Sequence, residues 1–282
     1  MKLLRYGPRG QEKPGMLDRD GQLRDLSGVI KDLTPDVLSP ASLDKLRKLN
    51  PGSLPAVSGS PRLGPCVAQV PKLVCVGLNY VDHAKEGGMQ IPTEPVLFLK
   101  AISSITGPND DVILPKDAQK GDWEVELGIV IGTKAQYVSE ADALKHVAGY
   151  CVVNDVSERN YQLERGGQWT KGKSADTFGP LGPWVVTADE VADPGALALW
   201  TEINGTRMQN SNTADLIFGV DHIVSYLSHF MTLLPGDVIA TGTPSGVGLG
   251  LKPPRFLKPG DTMRLSVEGL GEQNQRLVAY QG

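Results

Sequence analysis

The sequence predicts a strand-rich α+β fold with few helices, and three observations support this prediction. Glycine (33 residues) and proline (21 residues) are too frequent for a helical bundle and indicate many tight turns. Short apolar runs recur after residue 70 and are separated by turn residues, as in chains of short strands. Only residues 216–231 place apolar side chains at the spacing of a long helix, which Pro235 and Gly236 would close. The predicted strands are residues 73–78, 96–99, 125–131, 150–153, 184–186, 238–240 and 263–267.

The chain changes character near residue 70. Residues 51–65 contain four prolines and three glycines, which excludes regular secondary structure there. The residues before this boundary carry a net charge of +4, and those after it carry −8. We therefore predict a small N-terminal α+β subdomain over residues 1–70 and a larger domain over residues 71–282. The smaller unit is expected to contain a hairpin turn at residues 19–21 and a short helix capped by Ser42.

The composition excludes several classes of protein. The chain carries 28 basic and 32 acidic side chains, so we expect no nucleic-acid binding through phosphate neutralisation. Its apolar runs reach about six residues, far short of the roughly 20 that a membrane helix needs. The first 13 residues lack the apolar core of a secretory signal, so we expect a cytoplasmic protein. Cys66, Cys75 and Cys151 form no paired motif, and we expect them to be reduced core residues.

Two glutamates at the start of a predicted strand suggest a metal site. Glu124 and Glu126 would project from one face of the strand, about 6.6 Å apart at roughly 3.3 Å per residue. An ordinary strand with polar side chains facing solvent is the alternative. A second strand, residues 150–153, is followed by Asn154 and Asp155, and a carboxylate at a strand end can act as a third ligand. Three carboxylates form an all-oxygen site that suits Mg²⁺, Mn²⁺ or Ca²⁺.

A candidate acid–base pair lies on a short predicted helix that ends at Gly87 and Gly88. His83 and Glu86 are three residues apart, so they share a face of this helix. A carboxylate beside an imidazole orients it and raises its basicity, so the pair can take a proton from water near neutral pH. A surface ion pair is the alternative. The other three histidines have no comparable setting.

Residues 167–174 match the phosphate-binding pattern G-x-x-x-x-G-K-S letter for letter. That pattern binds a nucleotide only when it leaves a strand and opens a helix. Polar residues precede it here and a Gly- and Pro-rich stretch follows, so we reject a nucleotide site. The positive charge of Arg165, Lys171 and Lys173 on this Gly-rich loop would instead suit an anionic substrate.

Taken in order, these motifs resemble the fumarylacetoacetate hydrolase family. The order is an H-x-x-E helix, an E-x-E strand, a strand followed by Asp, a G-K-S loop and a Thr-Gly-Thr-Pro turn at residues 241–244. The resemblance covers about residues 71–282, and residues 1–70 look like the family's variable N-terminal part. It implies a β-roll of packed mixed sheets with few helices, usually as a homodimer.

The resemblance also assigns roles to individual residues. The metal ligands, for Mg²⁺ or Mn²⁺, are then Glu124, Glu126 and Asp155; the water-activating pair is His83 and Glu86; the active-site lysine is Lys173; and the substrate contacts are Arg159, Gln162 and Thr243.

The activity that the resemblance implies is cleavage of a C–C bond in a small oxo acid. The substrate is expected to be a 2,4-diketo acid, which gives pyruvate and a carboxylic acid. The cation would bind its 1-carboxylate and 2-oxo oxygens, His83 would take a proton from water, and Lys173 would help to meet the charge of the pyruvate enolate. Residues 1–8 and the whole-chain pattern resemble bacterial hydrolases of 2,4-diketo-3-deoxy sugar acids from L-fucose or L-rhamnose. We therefore expect a sugar acid of this kind.

Other activities use the same kind of site in this family. They are decarboxylation of oxaloacetate, isomerisation of dienoic diacids and ureidoglycolate lyase activity. The pair of His83 and Glu86 favours hydrolysis, because hydrolysis needs an activated water. A non-catalytic, metal-binding scaffold is the remaining alternative, but a scaffold needs neither this pair nor Lys173.

Overall fold

The computed structural model describes residues 1–282 and consists mainly of short strands. The strands are β1 Lys2–Tyr6, β2 Lys13–Leu17, β3 Leu23–Asp25, β4 Leu73–Gly77, β5 Val96–Lys100, β6 Ile105–Thr106, β7 Val112–Leu114, β8 Gly121–Asp122, β9 Val125–Ile131, β10 Val147–Asn154, β11 Ser157–Glu158, β12 Gly179–Thr187, β13 Ala198–Ile203, β14 Thr206–Asn212, β15 Val238–Ala240, β16 Thr262–Val267 and β17 Gly271–Ala279. The α-helices are α1 Pro40–Arg47, α2 Val81–Glu86, α3 Glu140–Ala143, α4 Thr170–Lys173 and α5 Val220–Phe230. The prediction of a strand-rich α+β fold with few helices is confirmed.

The strands form one large sheet and two smaller ones. The ten-stranded sheet has the order β3-β2-β1-β12-β10-β9-β15-β4-β5, and β6 pairs with β12 beside this path. The five-stranded sheet has the order β14-β13-β16-β17-β7, and β11 pairs with β8. Most pairs are antiparallel, whereas β15 with β4, β12 with β6, and β17 with β7 are parallel. The sheets are therefore mixed, as expected.

Strands β9 and β10 lie at the centre of the large sheet and are buried along their whole length. Alternate side chains of a strand face opposite sides of its sheet. Leu127 and Ile129 contribute to the apolar core shared with the five-stranded sheet, whereas Val130 belongs to a second core. Glu126 is on the same side as Val130, and its antiparallel partner in β10 is Val153. Glu126 and Val153 therefore face the side of the sheet on which the second core lies.

The N-terminal segment is part of the large sheet. Strand β1 pairs antiparallel with β12, and β2 and β3 extend the sheet beyond it. The predicted hairpin turn connects β2 to β3. The cap of α1 was expected at Ser42 but is Ser39, because a proline in the first turn favours an earlier start. The division into folding units at residues 1–70 and 71–282 stays a prediction.

The predicted long helix is α5, and its start differs from the prediction. The helix begins at Val220, after Gly219, rather than at Leu216. Residues 213–215 form a separate 3-10 turn, and Leu216 makes an isolated β-bridge with Tyr80. The apolar spacing therefore begins before the true start of the helix, in an extended segment. None of the helices combines the length and the apolar character that a membrane crossing requires.

The three cysteines lie in the interior, as predicted. Cys66, Cys75 and Cys151 are buried and form no disulfide. Burial raises the pKa of the Cys75 thiol well above its ordinary value. A nucleophilic thiolate is therefore not available at Cys75 near neutral pH.

Candidate active site

Three carboxylates meet where β9 begins and β10 ends. Glu126 lies in β9, Glu124 precedes this strand, and Asp155 follows β10. The backbone N–H of Asp155 donates to the carbonyl of Glu124 at 2.9 Å, which holds the two segments side by side. One carboxylate oxygen from each residue lies within 4.8 Å of the others, and all three side chains are buried. We call these three residues the carboxylate cluster; the strand alternation and the strand-end signal indicated each member.

Three basic side chains contact the carboxylate cluster. Lys173 donates to Glu124 Oε2 at 2.6 Å and to Asp155 Oδ2 at 2.8 Å. Arg159 donates to Glu124 Oε1 at 2.7 Å, and Lys100 donates to Asp155 Oδ1 at 2.5 Å. Burial opposes ionisation of Glu124, but the charges of Lys173 and Arg159 outweigh it and lower the pKa of this carboxyl. Two members of the cluster are therefore matched with positive charge.

Glu126 is the member without a basic partner. Its carboxylate accepts one hydrogen bond, from the backbone N–H of Gly242 at 2.8 Å. Burial, together with the charges of Asp155 and Glu124, raises the pKa of Glu126 well above its ordinary value. A divalent cation held by the carboxylate cluster would supply the missing positive charge. The donors are all oxygens, which fits a hard cation such as Mg²⁺ or Mn²⁺.

The candidate acid–base pair lies on α2, beside the carboxylate cluster. His83 Nδ1 is 3.6 Å from Glu86 Oε2, and this buried ring nitrogen has no hydrogen-bond partner. Glu86 accepts from the backbone N–H of Gly246 at 3.0 and 3.1 Å. A Cβ on Gly250 would lie 2.1 Å from Glu86 Cδ, so the loop approaches Glu86 as closely as glycine permits. Glu86 is therefore fixed behind His83, a little beyond hydrogen-bond distance of the ring.

The three residues expected to contact substrate are already engaged by the protein. Arg159 donates to Asp122 Oδ2 at 2.8 Å and to Gln162 Oε1 at 2.9 Å, in addition to its bond with Glu124. Gln162 therefore keeps its amide N–H groups as donors. The hydroxyl of Thr243 donates to the carbonyl of Val125 at 2.9 Å and accepts from Gln209 at 2.8 Å. Arg159 and Thr243 thus line the cleft and also hold neighbouring residues of the site in place through these hydrogen bonds.

One cleft joins these residues. It has a volume of about 570 Å³ with its open mouth included, and every residue of the predicted set except Glu86 lines it. Of the loop predicted to carry positive charge, only Lys173 lines the cleft, whereas Arg165 and Lys171 are exposed elsewhere. The loop follows a π-helical turn rather than a strand and enters only the four-residue α4. This geometry agrees with the rejection of a nucleotide site.

Two residues of the site were missed in the sequence. Lys100 follows the apolar run 96–99, so it carries the same strand-end signal that identified Asp155. Asp122 accepts from Arg159 and from the backbone N–H groups of Gly248 and Leu249, at 2.6 and 3.0 Å for the two amides. No local pattern could have found Asp122, because its partners are distant in the sequence.

Known proteins match this chain over nearly its whole length. A family model described as fumarylacetoacetate (FAA) hydrolase, C-terminal, matches residues 72–278. A protein of Burkholderia cenocepacia (strain HI2424), whose name says hydrolase without a substrate, is 63% identical over 277 residues. The match covers 98% of each of the two chains.

Two solved structures show the range of activities attached to this fold. A probable 2-hydroxyhepta-2,4-diene-1,7-dioate isomerase from Mycobacterium abscessus is 30% identical with a TM-score of 0.85, over 100% of both chains. Maleylpyruvate hydrolase from Sphingobium sp. SYK-6, solved with manganese(II) and pyruvate, is 29% identical with a TM-score of 0.82, again over 100% of both chains. Hydrolase and isomerase names therefore occur on the same fold.

Proposed function

This chain belongs to the fumarylacetoacetate hydrolase family, and we propose that it is a metal-dependent hydrolase of the acylpyruvate type. It would cleave the C–C bond of a 2,4-diketo acid to give pyruvate and a carboxylic acid. The placement of His83 and Lys173 around the carboxylate cluster in one cleft carries this proposal. Such a hydrolysis needs an activated water, a cation site and positive charge for a leaving enolate, and the cleft has residues suited to each. The relative solved with manganese(II) and pyruvate supports the same reading.

The carboxylate cluster would hold the cation. When bound, Mg²⁺ or Mn²⁺ supplies Lewis-acid polarisation of the substrate's oxo oxygens and stabilises the enolate. The protein fixes the ligands in advance, because the ladder between β9 and β10 sets their spacing. The amide of Gly242 orients Glu126 through its hydrogen bond of 2.8 Å. These contacts let three repelling carboxylates share one small volume.

His83 is the proposed base. Its Nδ1 faces Glu86, which leaves Nε2 as the nitrogen that can take a proton from water in the cleft. As the water oxygen bonds to C4 of the diketo acid, the C3–C4 bond breaks and its electron pair passes to the pyruvate enolate. Protonation of that enolate at C3 completes the balance, with one water consumed. Glu86 would stabilise the imidazolium that forms at His83.

Lys173 is proposed to meet the charge of the enolate. Burial opposes its ionisation, but the charges of Asp155 and Glu124 raise the pKa of Lys173, so the ammonium persists at neutral pH. Two of its three N–H bonds go to these carboxylates, which leaves one for a substrate oxygen. The free amide of Gln162 would be a second donor in the cleft.

Three alternatives use the same residues in part. Isomerisation of a dienoic diacid, decarboxylation of oxaloacetate and ureidoglycolate cleavage need no water held by His83, so the geometry of His83 and Glu86 favours hydrolysis over them. A metal-binding scaffold has no use for a buried lysine between two ligands. A sugar-acid substrate is supported by the resemblance of the sequence alone.

Product analysis tests the proposal directly. Purified protein is incubated with Mn²⁺ or Mg²⁺ and an acylpyruvate, and loss of the enol absorbance is followed together with the products. We expect pyruvate and the matching carboxylic acid in equal amounts. Pyruvate and CO₂ from oxaloacetate, without acylpyruvate cleavage, would identify a decarboxylase. Conversion of a dienoic diacid without loss of carbon would identify an isomerase, and no turnover of any of these would favour the scaffold.

We also propose that the protein acts as a homodimer. Strand β5 is the last strand of the large sheet and pairs only with β4, so its other edge has no strand partner, although the Thr170 hydroxyl donates to the Leu99 carbonyl there at 3.0 Å. Leu99 in β5 and Ile102 just after it are each 44% exposed, which is unusual for apolar side chains at a sheet edge. Light scattering should give twice the mass of the 30.2 kDa chain, and Leu99→Asp should shift it toward the monomer.

A further inference from the structure

The basic side chains that line the cleft, Arg159 and Lys173, are both paired with carboxylates of the protein. The polar side chains in its wall are those of the carboxylate cluster, His83, Lys173, Arg159, Gln162 and Thr243. Arg159 is 4% exposed and lies between the carboxylates of Asp122 and Glu124. Lys173 is 2% exposed and lies between two further carboxylate oxygens. No positive side chain is left over to bind a second carboxylate at the far end of a substrate.

The rest of the wall is apolar. It is formed by Leu78, Met89, Phe98, Leu163, Trp169 and Leu249, with glycines between them. The rings of Phe98 and Trp169 meet edge to face, with centroids 5.4 Å apart. A Cβ on Gly77 would lie 2.3 Å from the Trp169 ring, so this glycine lets the indole approach β4 closely. The apolar wall is therefore a packed surface with a set shape.

A polar tail on the substrate would lose water against this wall without gaining a partner. Along this wall a carboxylate at the tail end would meet no basic side chain, and hydroxyl groups would mostly meet carbon, since the free amide of Gln162 is assigned to the reacting end. An alkyl or aryl tail would displace water from the same surface, at about fourfold in affinity for each buried methylene. The wall therefore selects the substrate tail by its polarity, whereas the reaction at the diketo-acid end of the substrate does not depend on the tail.

We propose that the tail of the substrate is uncharged and apolar, so that the diketo acid carries an alkyl or aryl acyl group. This inference rests on the proposed function for the identity of the reacting end. It differs from the sugar-acid expectation, which would place several hydroxyl groups against the apolar wall. It also differs from diacid substrates such as the dienedioate in the name of the Mycobacterium abscessus relative.

Binding of stable 2-oxo acids tests the tail separately from hydrolysis. Three six-carbon compounds, 2-oxohexanoate, 2-oxoadipate and 2-keto-3-deoxygluconate, share the reacting end and differ in having an alkyl, a carboxylate or a hydroxylated tail. Titration calorimetry with the Mn²⁺-loaded protein should give a Kd for 2-oxohexanoate at least about tenfold below the other two. Equal or tighter binding of either polar compound, or no binding of any, would overturn the inference.

Kinetics and one pair of variants complete the test. Acylpyruvates with alkyl tails should have the highest kcat/KM. Failure to hydrolyse any of them would contradict the proposed function, whereas the Kd values from calorimetry would still test the preference for an apolar tail. Met89 is 37% exposed at the cleft wall, so Met89→Lys can place an ammonium there without burying it. This variant should bind 2-oxoadipate several-fold more tightly, whereas Met89→Leu should keep the original order. If both variants bound the three oxo acids in the same order of Kd, the wall would not set the preference for an apolar tail.

Discussion

The carboxylate cluster and His83 line the same cleft but are held in different ways. Glu126 belongs to β9, which is buried along its length and has ladder partners on both sides, β10 and β15. His83 belongs to α2, a helix of six residues in which only Ala84 is buried. Besides backbone bonds, α2 is attached through Asp82, which accepts from the Ser245 hydroxyl at 2.6 Å, and through Glu86.

This difference follows from what each half must do. Three carboxylates in one volume repel one another, so only a stiff sheet can hold them at a fixed spacing. A base must instead approach water and substrate, and its hydrogen bonds commonly tighten only when the reacting complex forms. The 3.6 Å between His83 and Glu86 leaves room for that adjustment. The carboxylate cluster is therefore built into the sheet, and we call it the stiff half of the site. The pair of His83 and Glu86 is attached to the sheet through α2, and we call it the docked half.

The largest effect is expected from removing a ligand in the stiff half. Glu126→Gln keeps the size of the side chain and removes its charge, so Mn²⁺ affinity should fall at least about a hundredfold, and activity should disappear with it. Titration calorimetry measures the affinity. Glu164→Gln is the matched control, because Glu164 is exposed outside the cleft. Full metal content and activity in Glu126→Gln would contradict the ligand assignment.

The next effect is expected in the docked half. His83→Ala should lower kcat by about 10²–10⁴-fold, because it removes the proposed base. Mn²⁺ affinity should stay unchanged, since His83 makes no contact with the carboxylate cluster through a hydrogen bond. Steady-state kinetics with an acylpyruvate and metal titration distinguish the two halves. A wild-type kcat with metal bound would exclude His83 as the base.

Lys100 offers a test of the charges that support the stiff half. It is 3% exposed and bonds Asp155 Oδ1 at 2.5 Å, so Lys100→Met leaves a buried carboxylate with one partner fewer. We expect the free energy of unfolding in chelator to fall by about 3–5 kcal/mol. Excess Mn²⁺ should restore part of it, because a bound cation replaces the lost charge. Urea denaturation with and without Mn²⁺ measures both, and an unchanged midpoint in chelator would show that Lys100 is dispensable.

A smaller effect is expected from disturbing how α2 is docked. Gly250→Ala would place a Cβ against the side chain of Glu86, which must then move away from its position behind His83. We expect kcat to fall about tenfold or less, with metal affinity unchanged. Gly28→Ala is a matched control, because a Cβ there meets nothing within 4 Å. Equal kcat in the two variants would show that the position of Glu86 is not critical.

The smallest effect is a change in how stability depends on pH. The pKa of Glu126 is raised above its ordinary value of 4.5, so the folded protein holds this proton more tightly than the unfolded chain does. Cation-free protein should therefore lose stability as pH rises from about 4.5 toward the raised value, and Glu126→Gln should flatten that slope. Thermal melts in chelator across this range test it. A variant with the parent's slope would assign the effect to another group.

The sequence predicted the parts of the molecule that depend on local periodicity. Glu124 and Glu126 are two residues apart at the start of a strand, and Asp155 follows another strand, so their spacing was enough to nominate them. The attachment of β1 to β12 had no such signal, because the two strands are far apart in the chain. Asp122 was missed for the same reason, since it bonds residues 37 and 126 positions away. The apolar spacing also ran on to Leu216, because a half-buried extended segment and a helix can share it over a few residues.

The weak attachment of α2 has a consequence for how the protein fails on heating. A short helix held by a few polar contacts opens at a lower free energy than a strand in the middle of a sheet. Loss of turnover should then precede loss of the fold and of the bound cation, at a temperature below the unfolding midpoint. The protein would recover on cooling from such a state, because the sheet that defines the docking surface for α2 never comes apart. Thermal inactivation would thus begin as a local and reversible event, in which the water-activating pair is displaced while the metal stays in place.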